Sequence, residues 1–185
     1  MKKILYAVLV IVICGTGLWA QQATGVAFAD KPAVLTSVGQ SADMEMIRVL
    51  LTRAGIPFKA NSLIGANDLS SSDKSLILVI GGSSKGLGAA GISAEDEMKR
   101  SQALIQKARD LGMSIIAVHV GGEARRGSLS DGFIRFAVPL SDFVIVVSEG
   151  DKDGLFATLT TQAKIPFNKV DKISAAGTPL AAAFK

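Results

Sequence analysis

Four runs along the chain are apolar at nearly every position and too short to be helices: Ala33–Val38, Leu76–Ile80, Ser114–Val120 and Phe143–Val147. A strand with one wet face alternates apolar and polar residues, whereas a strand covered on both faces reads as an unbroken apolar run. These four segments are of the second kind. Between them the period changes to that of a helix. Met44, Ile47, Leu50, Leu51 and Ala54 recur on one helical face, after Ser41 in a capping position and before Gly55 and Pro57, which stop the helix. Met98, Leu104, Ile105, Ala108 and Leu111 do the same over Ala94–Leu111, which Gly112 ends. A shorter helix is expected over Asp131–Leu140 and another around Leu155, Phe156 and Leu159. Phe58–Leu63 and Phe167–Ile173 read as weaker strands, Asn67–Ser75 as a polar loop, and Thr178-Pro179 as the cap of a last helical turn. Ala54-Gly55-Ile56-Pro57-Phe58 and Ala163-Lys164-Ile165-Pro166-Phe167 share one pattern, a helix-to-strand turn used twice.

Buried strands alternating with amphipathic helices define the α/β class. The expected architecture is a doubly wound, mostly parallel sheet of five to six strands with helices on both faces, flavodoxin-like or Rossmann-like. In such sheets ligands bind beyond the carboxyl ends of the strands. That rule selects Gly39-Gln40-Ser41, Gly81–Gly88, His119–Arg126 and Ser148–Gly154.

The N-terminus carries a different pattern. Lys2 and Lys3 precede an apolar run from Ile4 to Leu18, and Ala27-Phe28-Ala29 supplies a small-x-small cleavage site. This is the pattern of a secretory signal peptide over residues 1–29, with an α/β domain over 30–185. Ala20 is a second possible cleavage point, and an uncleaved anchor is the alternative to export in free form. A lipoprotein is disfavoured because Ile13, before Cys14, is not small. Export to the periplasm or the exterior of a bacterium is expected, with no stable membrane insertion after cleavage. Cleavage removes Tyr6, Cys14 and Trp19, the sole residues of their types. The remaining 156 residues then have no thiol or phenol, so no Cys nucleophile, no Tyr acid and no disulfide. The formal charge of +4 falls to about +2 without Lys2 and Lys3, and no basic stripe with interleaved aromatics is present. Nucleic acid is therefore not an expected partner.

The candidate chemistry lies on the selected loops. Gly82-Ser83-Ser84-Lys85-Gly86-Leu87-Gly88 resembles the glycine-rich turn of short-chain dehydrogenases over these few residues. It follows a later strand than in that family, and a mature chain without tyrosine cannot supply the family's Tyr-x-x-x-Lys. Read from its own residues, the turn is either a flexible glycine loop or an anion cradle of backbone N–H groups with Lys85 beside it. Gly121-Gly122-Glu123-Ala124-Arg125-Arg126 is the stronger candidate, because guanidinium forks hold carboxylates and phosphates bidentately. The alternative is that Arg125 and Arg126 pair with Glu123, Asp131 or another carboxylate of the chain. His119, the sole histidine, is a packed core residue or a ligand contact. A Ser83–His119–Asp142 triad can be written from residue types, but no Gly-x-Ser-x-Gly elbow accompanies it. Asp151-Lys152-Asp153-Gly154 begins like a calcium loop, then lacks the later oxygen ligands, and reads as acidic capping of a helix. No metal site and no cofactor are implied.

Ile80–Gly88, Val120–Asp131 and Phe143–Gly154 together resemble an uncharacterised family of secreted bacterial proteins, a domain of unknown function. The motifs concerned are Gly81–Gly88, Arg125–Asp131 and Gly150–Asp153. The resemblance implies an exported α/β domain and brings no established reaction. The expected function is binding of a small anionic solute without turnover, by Gly82, Ser83, Ser84, Lys85, His119, Gly121, Gly122, Arg125 and Arg126. The alternatives are an extracytoplasmic hydrolase of a phosphate or ester, and an interaction module of an envelope or transport complex.

Overall fold

A computed structural model describes residues 27–185. The signal-peptide pattern, apart from Ala27-Phe28-Ala29, lies outside the described residues. The strands are β1 Ala33–Val38, β2 Phe58–Ala60, β3 Ser75–Ile80, β4 Ser114–His119, β5 Phe143–Val147 and β6 Phe167–Val170. The helices are α1 Met44–Arg53, α2 Ser84–Ala90, α3 Ala94–Asp110, α4 Ser128–Ala137, α5 Leu155–Ala163 and α6 Gly177–Ala182. The strands form one six-stranded sheet in the order β2-β1-β3-β4-β5-β6, every pair parallel. This is the doubly wound order of flavodoxin-like sheets, extended by one edge strand, and it reverses direction between β1 and β3.

Alternate residues of each central strand enter separate cores. Val34, Leu76, Leu78, Ile80, Ile115, Ala117, Val144 and Val146 face α3, α4 and α5, where Leu104, Phe133, Ile134 and Phe156 meet them. Leu35, Ile77, Val79, Ile116, Val118, Ile145 and Val147 face α1 and α6, where Ile47, Leu51 and Leu180 close the other layer. Burial on both faces explains why the strands carry no polar alternation.

The repeated turn is real in three dimensions. Gly55 and Lys164 both take the left-handed conformation, with φ of 66° and 57°. The next amide, Ile56 or Ile165, donates to Leu51 O or Thr160 O. Both helices thus end in the same αL closure. Pro57 O and Pro166 O then accept Ala33 N and Val144 N, which begins the pairing of the edge strands.

Three expectations are corrected. The glycine-rich segment is not an open loop: Ser84–Ala90 is helical, with Ser83 Oγ accepting Gly86 N as its cap. The helix expected over Asp131–Leu140 begins earlier, as α4, with Gly127 as its N-cap and Ser130 as its third residue. Thr178 does not cap the last helix, which begins after Ala176 without a side-chain cap. No helix among the described residues is long and apolar enough to cross a membrane.

Candidate functional site

At the carboxyl edge of the sheet, the turns after β1 and β3 are zipped together. Gln40 and Gly82 form an antiparallel bridge, and Ser83 N donates to Gly39 O at 2.8 Å. Gly81 N donates to Val38 O and Gly82 N to Ser130 Oγ, each at 2.9 Å. A Cβ on Gly86 would collide with the carbonyl oxygen of Gln40. The glycines here permit backbones to touch. The expected cradle of free N–H groups is absent at Gly81, Gly82, Ser83 and Gly86, because each of those amides already has an acceptor. Ser84 and Lys85 are exposed on the first turn of α2, and Lys85 has no ion-pair partner among the described residues.

A buried ion pair braces this closure from below. Glu97 on α3 is fully buried and accepts Gly39 N at 2.8 Å and Gln40 Nε2 at 3.1 Å. Arg100 binds both Glu97 oxygens and reaches Ser37 O and Ile64 O. Gln40, a non-glycine residue at φ 59°, is held in the left-handed region by these contacts. In sequence Glu97 follows Glu95 and Asp96 in the first turn of α3, where carboxylates complement the helix dipole. Its burial was not legible because Gly39 N and Gln40 Nε2, which it accepts, come from the turn after β1, far away in sequence.

The two arginines of the β4 loop part company. All five N–H groups of Arg126 are committed: Nε and Nη2 to Asp131, Nη1 and Nη2 to Asp153, and Nη1 to Gly150 O. Its guanidinium carbon also lies 5.8 Å from the Phe156 ring centroid. Its hydrogen bonds to Asp131, then Asp153, raise its pKa further, and they hold both carboxyls below the usual range, Asp153 at about 2. Arg126 is therefore a clasp between the β4 and β5 loops, with no donor left for a ligand. Arg125 is different: it is half-exposed, and its Nε lies 3.8 Å from Asp43 Oδ1.

Asp43, just before α1, is a candidate site residue that sequence reasoning missed. It reaches the end of β4, where a Cβ on Gly121 would lie 2.5 Å from its Oδ2. That oxygen is buried without a hydrogen-bond partner, and so is His119 Nε2. His119 is fully buried at the end of β4, its Nδ1 2.8 Å from Ile80 O. Since a carbonyl only accepts, Nδ1 carries the proton and Nε2 is left as an acceptor. Phe156 packs on the imidazole at 5.2 Å between centroids, and Gly150 lies close over its Nε2 edge. Burial lowers the His119 pKa, against the opposing pull of the Ile80 carbonyl and the Asp43 charge.

The structure thus brings together Asp43, His119, Gly121, Gly122 and Arg125. It leaves Arg126 in a clasp and the glycine turn in a packing role. The triad is removed as well: Asp142 precedes β5, at the opposite end of the sheet, and binds Ile115 N and Arg109. Asp151 and Asp153 do cap α5, accepting Phe156 N and Leu155 N. No group of three His, Cys, Asp or Glu side chains among the described residues is arranged to hold a metal.

The fold and edge geometry place the chain among doubly wound α/β proteins with a flavodoxin-like strand order. Residues 30–184 match the family model described as Domain of unknown function (DUF6305), and the chain belongs to that family. No curated protein matches it. Among solved structures, it is similar to a truncated form of 3-deoxy-D-arabino-heptulosonate 7-phosphate synthase from Thermotoga maritima, at 10% identity and a TM-score of 0.36. That match covers 86% of this chain and 51% of the other, so the chain spans about half the length of that protein.

Proposed function

We propose that the chain is an exported solute-binding domain that holds a small anionic molecule without turnover where the β1 and β4 loops cross. The observation that carries this reading is the Asp43–Arg125 pair. A buried carboxylate oxygen without a donor sits under the stem of a half-exposed arginine at the ligand-binding edge of a parallel sheet. Buried polar groups almost always have partners, so an orphaned one at such an edge calls for a donor. The ion pair is long, at 3.8 Å, so Arg125 can turn outward at small cost. A solute with both an anionic group and O–H or N–H donors suits the arrangement, the anion on Arg125 and a donor on Asp43 Oδ2. Small hydroxy acids and amino acids are the class with this chemistry. Export is supported by Lys2-Lys3 and the apolar run that follows.

Hydrolysis is the less favoured reading. His119 has the oriented imidazole of a general base, but Gly150 and Phe156 cover it, and no nucleophile lies beside Nε2 among the described residues. The test is calorimetric titration of the purified chain with a panel of hydroxy acids, amino acids and phosphate esters. Heat of saturable binding with unchanged solute supports the proposal. Release of product, or no saturable heat from any member of the panel, contradicts it.

A further inference from the structure

The small-x-small site Ala27-Phe28-Ala29 is not free leader sequence, because part of it is built into the fold. Phe28 N and Ala29 N both donate to Ala183 O, at 3.0 and 2.8 Å, and Lys185 N donates back to Ala29 O at 3.0 Å. Ala29 pairs with Phe184 in a parallel bridge and is fully buried in the core beneath α1 and α6. The Phe28 ring stands edge-on to Phe143, with centroids 6.0 Å apart. Asp30 then pairs with Lys185, and its carbonyl accepts Ser75 Oγ at 2.6 Å. These contacts tie the C-terminal segment to β5 and to the start of β3.

We infer that the leader is cut at or before the Ala27–Phe28 bond, so that Phe28 and Ala29 remain part of the exported domain. The inference rests on the export reading above but not on solute binding. A cut after Ala29 would strip the C-terminal segment of its paired backbone and empty the place of a buried alanine. Cuts upstream keep every contact. Gly25-Val26-Ala27 offers small residues at the required positions, and Ala20 ends the apolar run. The reaction is hydrolysis of one peptide bond by the host's leader peptidase, with water as co-reactant.

The experiment expresses the full chain with its own leader in a bacterial host and measures the intact mass of the exported protein. An N-terminus at Phe28 or between Gln21 and Phe28 is expected. An N-terminus at Asp30 overturns the inference. A chain that keeps Met1 overturns it too, and with it the processed-export reading. Phe28→Ala in the same full chain gives an independent readout, because it changes the middle residue of the motif and leaves both small positions intact. With Phe28 retained, the exported variant melts about 3–6 °C below wild type, as expected for losing a half-buried ring in a domain of this size. With Phe28 removed by processing, variant and wild type are the same molecule and melt together.

Discussion

Arg126 and Arg125 are neighbours in sequence with opposite jobs. Removing Arg126 leaves Asp131 and Asp153 facing each other and Gly150 O without a donor. Arg126→Ala is therefore expected to lower stability by about 1–3 kcal/mol in urea unfolding. Arg125→Ala, at a long and half-exposed pair, should change it by less than about 0.5 kcal/mol. The clasp also has a pH signature. Hydrogen bonds from Arg126 depress the Asp131 and Asp153 carboxyls in the folded state. Their contribution is complete above the unfolded carboxyl value, about 3.9, and is lost as pH falls toward about 2, the folded value of Asp153. The wild-type acid limb should be steeper than that of Arg126→Ala. His119 acts at higher pH with the same sign. Burial lowers its folded pKa, so between about 6.5 and that lower value the unfolded chain binds a proton that the folded one does not. Stability should fall as pH drops below about 6.5. In His119→Asn, which keeps an N–H toward Ile80 O, that slope should vanish, since the chain has no other histidine. An unchanged slope would remove His119 as its source.

At the scale of elements, the glycine-rich segment after β3 makes sense as a packed helix start. Two glycines of α2 separate this reading from a flexible loop. Gly86→Ala drives a methyl into Gln40 O and is expected to cost about 1–3 kcal/mol. Gly88→Ala meets nothing and should stabilise the helix by about 0.5–1 kcal/mol. Thermal melts of the two variants check this, and two neutral substitutions would contradict it. The sequence hid α2 because two glycines in three residues argue against a helix. The Ser83 cap and the burial of Leu87 outweigh that local preference. By contrast, β1, β3, β4 and β5 were legible as strands because burial on both faces leaves a continuous apolar trace. The helix-to-strand turns were legible for another reason, since Gly55-Ile56-Pro57 and Lys164-Ile165-Pro166 are local chemistry that needs no distant partner.

On the scale of the whole molecule, the strand order directs attention to the point between β1 and β3 where the winding reverses. That crevice is closed here by the Gln40–Gly82 bridge and braced by Glu97 and Arg100. Two unmet buried polar atoms, Asp43 Oδ2 and His119 Nε2, lie one strand further on, where Asp43 crosses to the end of β4. Sequence reading singled out this edge and the β4 loop, including His119, Gly121, Gly122 and Arg125, which the structure sets beside Asp43. It missed Asp43, whose meaning depends on a contact with Gly121 that only the assembled sheet creates. It also could not divide Arg125 from Arg126, because Asp153 arrives from another loop. The proposed solute site is this crossing and not the glycine turn. The most direct test is the thermal shift caused by a saturating hydroxy acid or amino acid selected by calorimetry, compared in wild type, Arg125→Ala and Lys85→Ala. A shift of several degrees is expected in wild type and Lys85→Ala and is expected to be lost in Arg125→Ala. A shift retained in Arg125→Ala and lost in Lys85→Ala would contradict it.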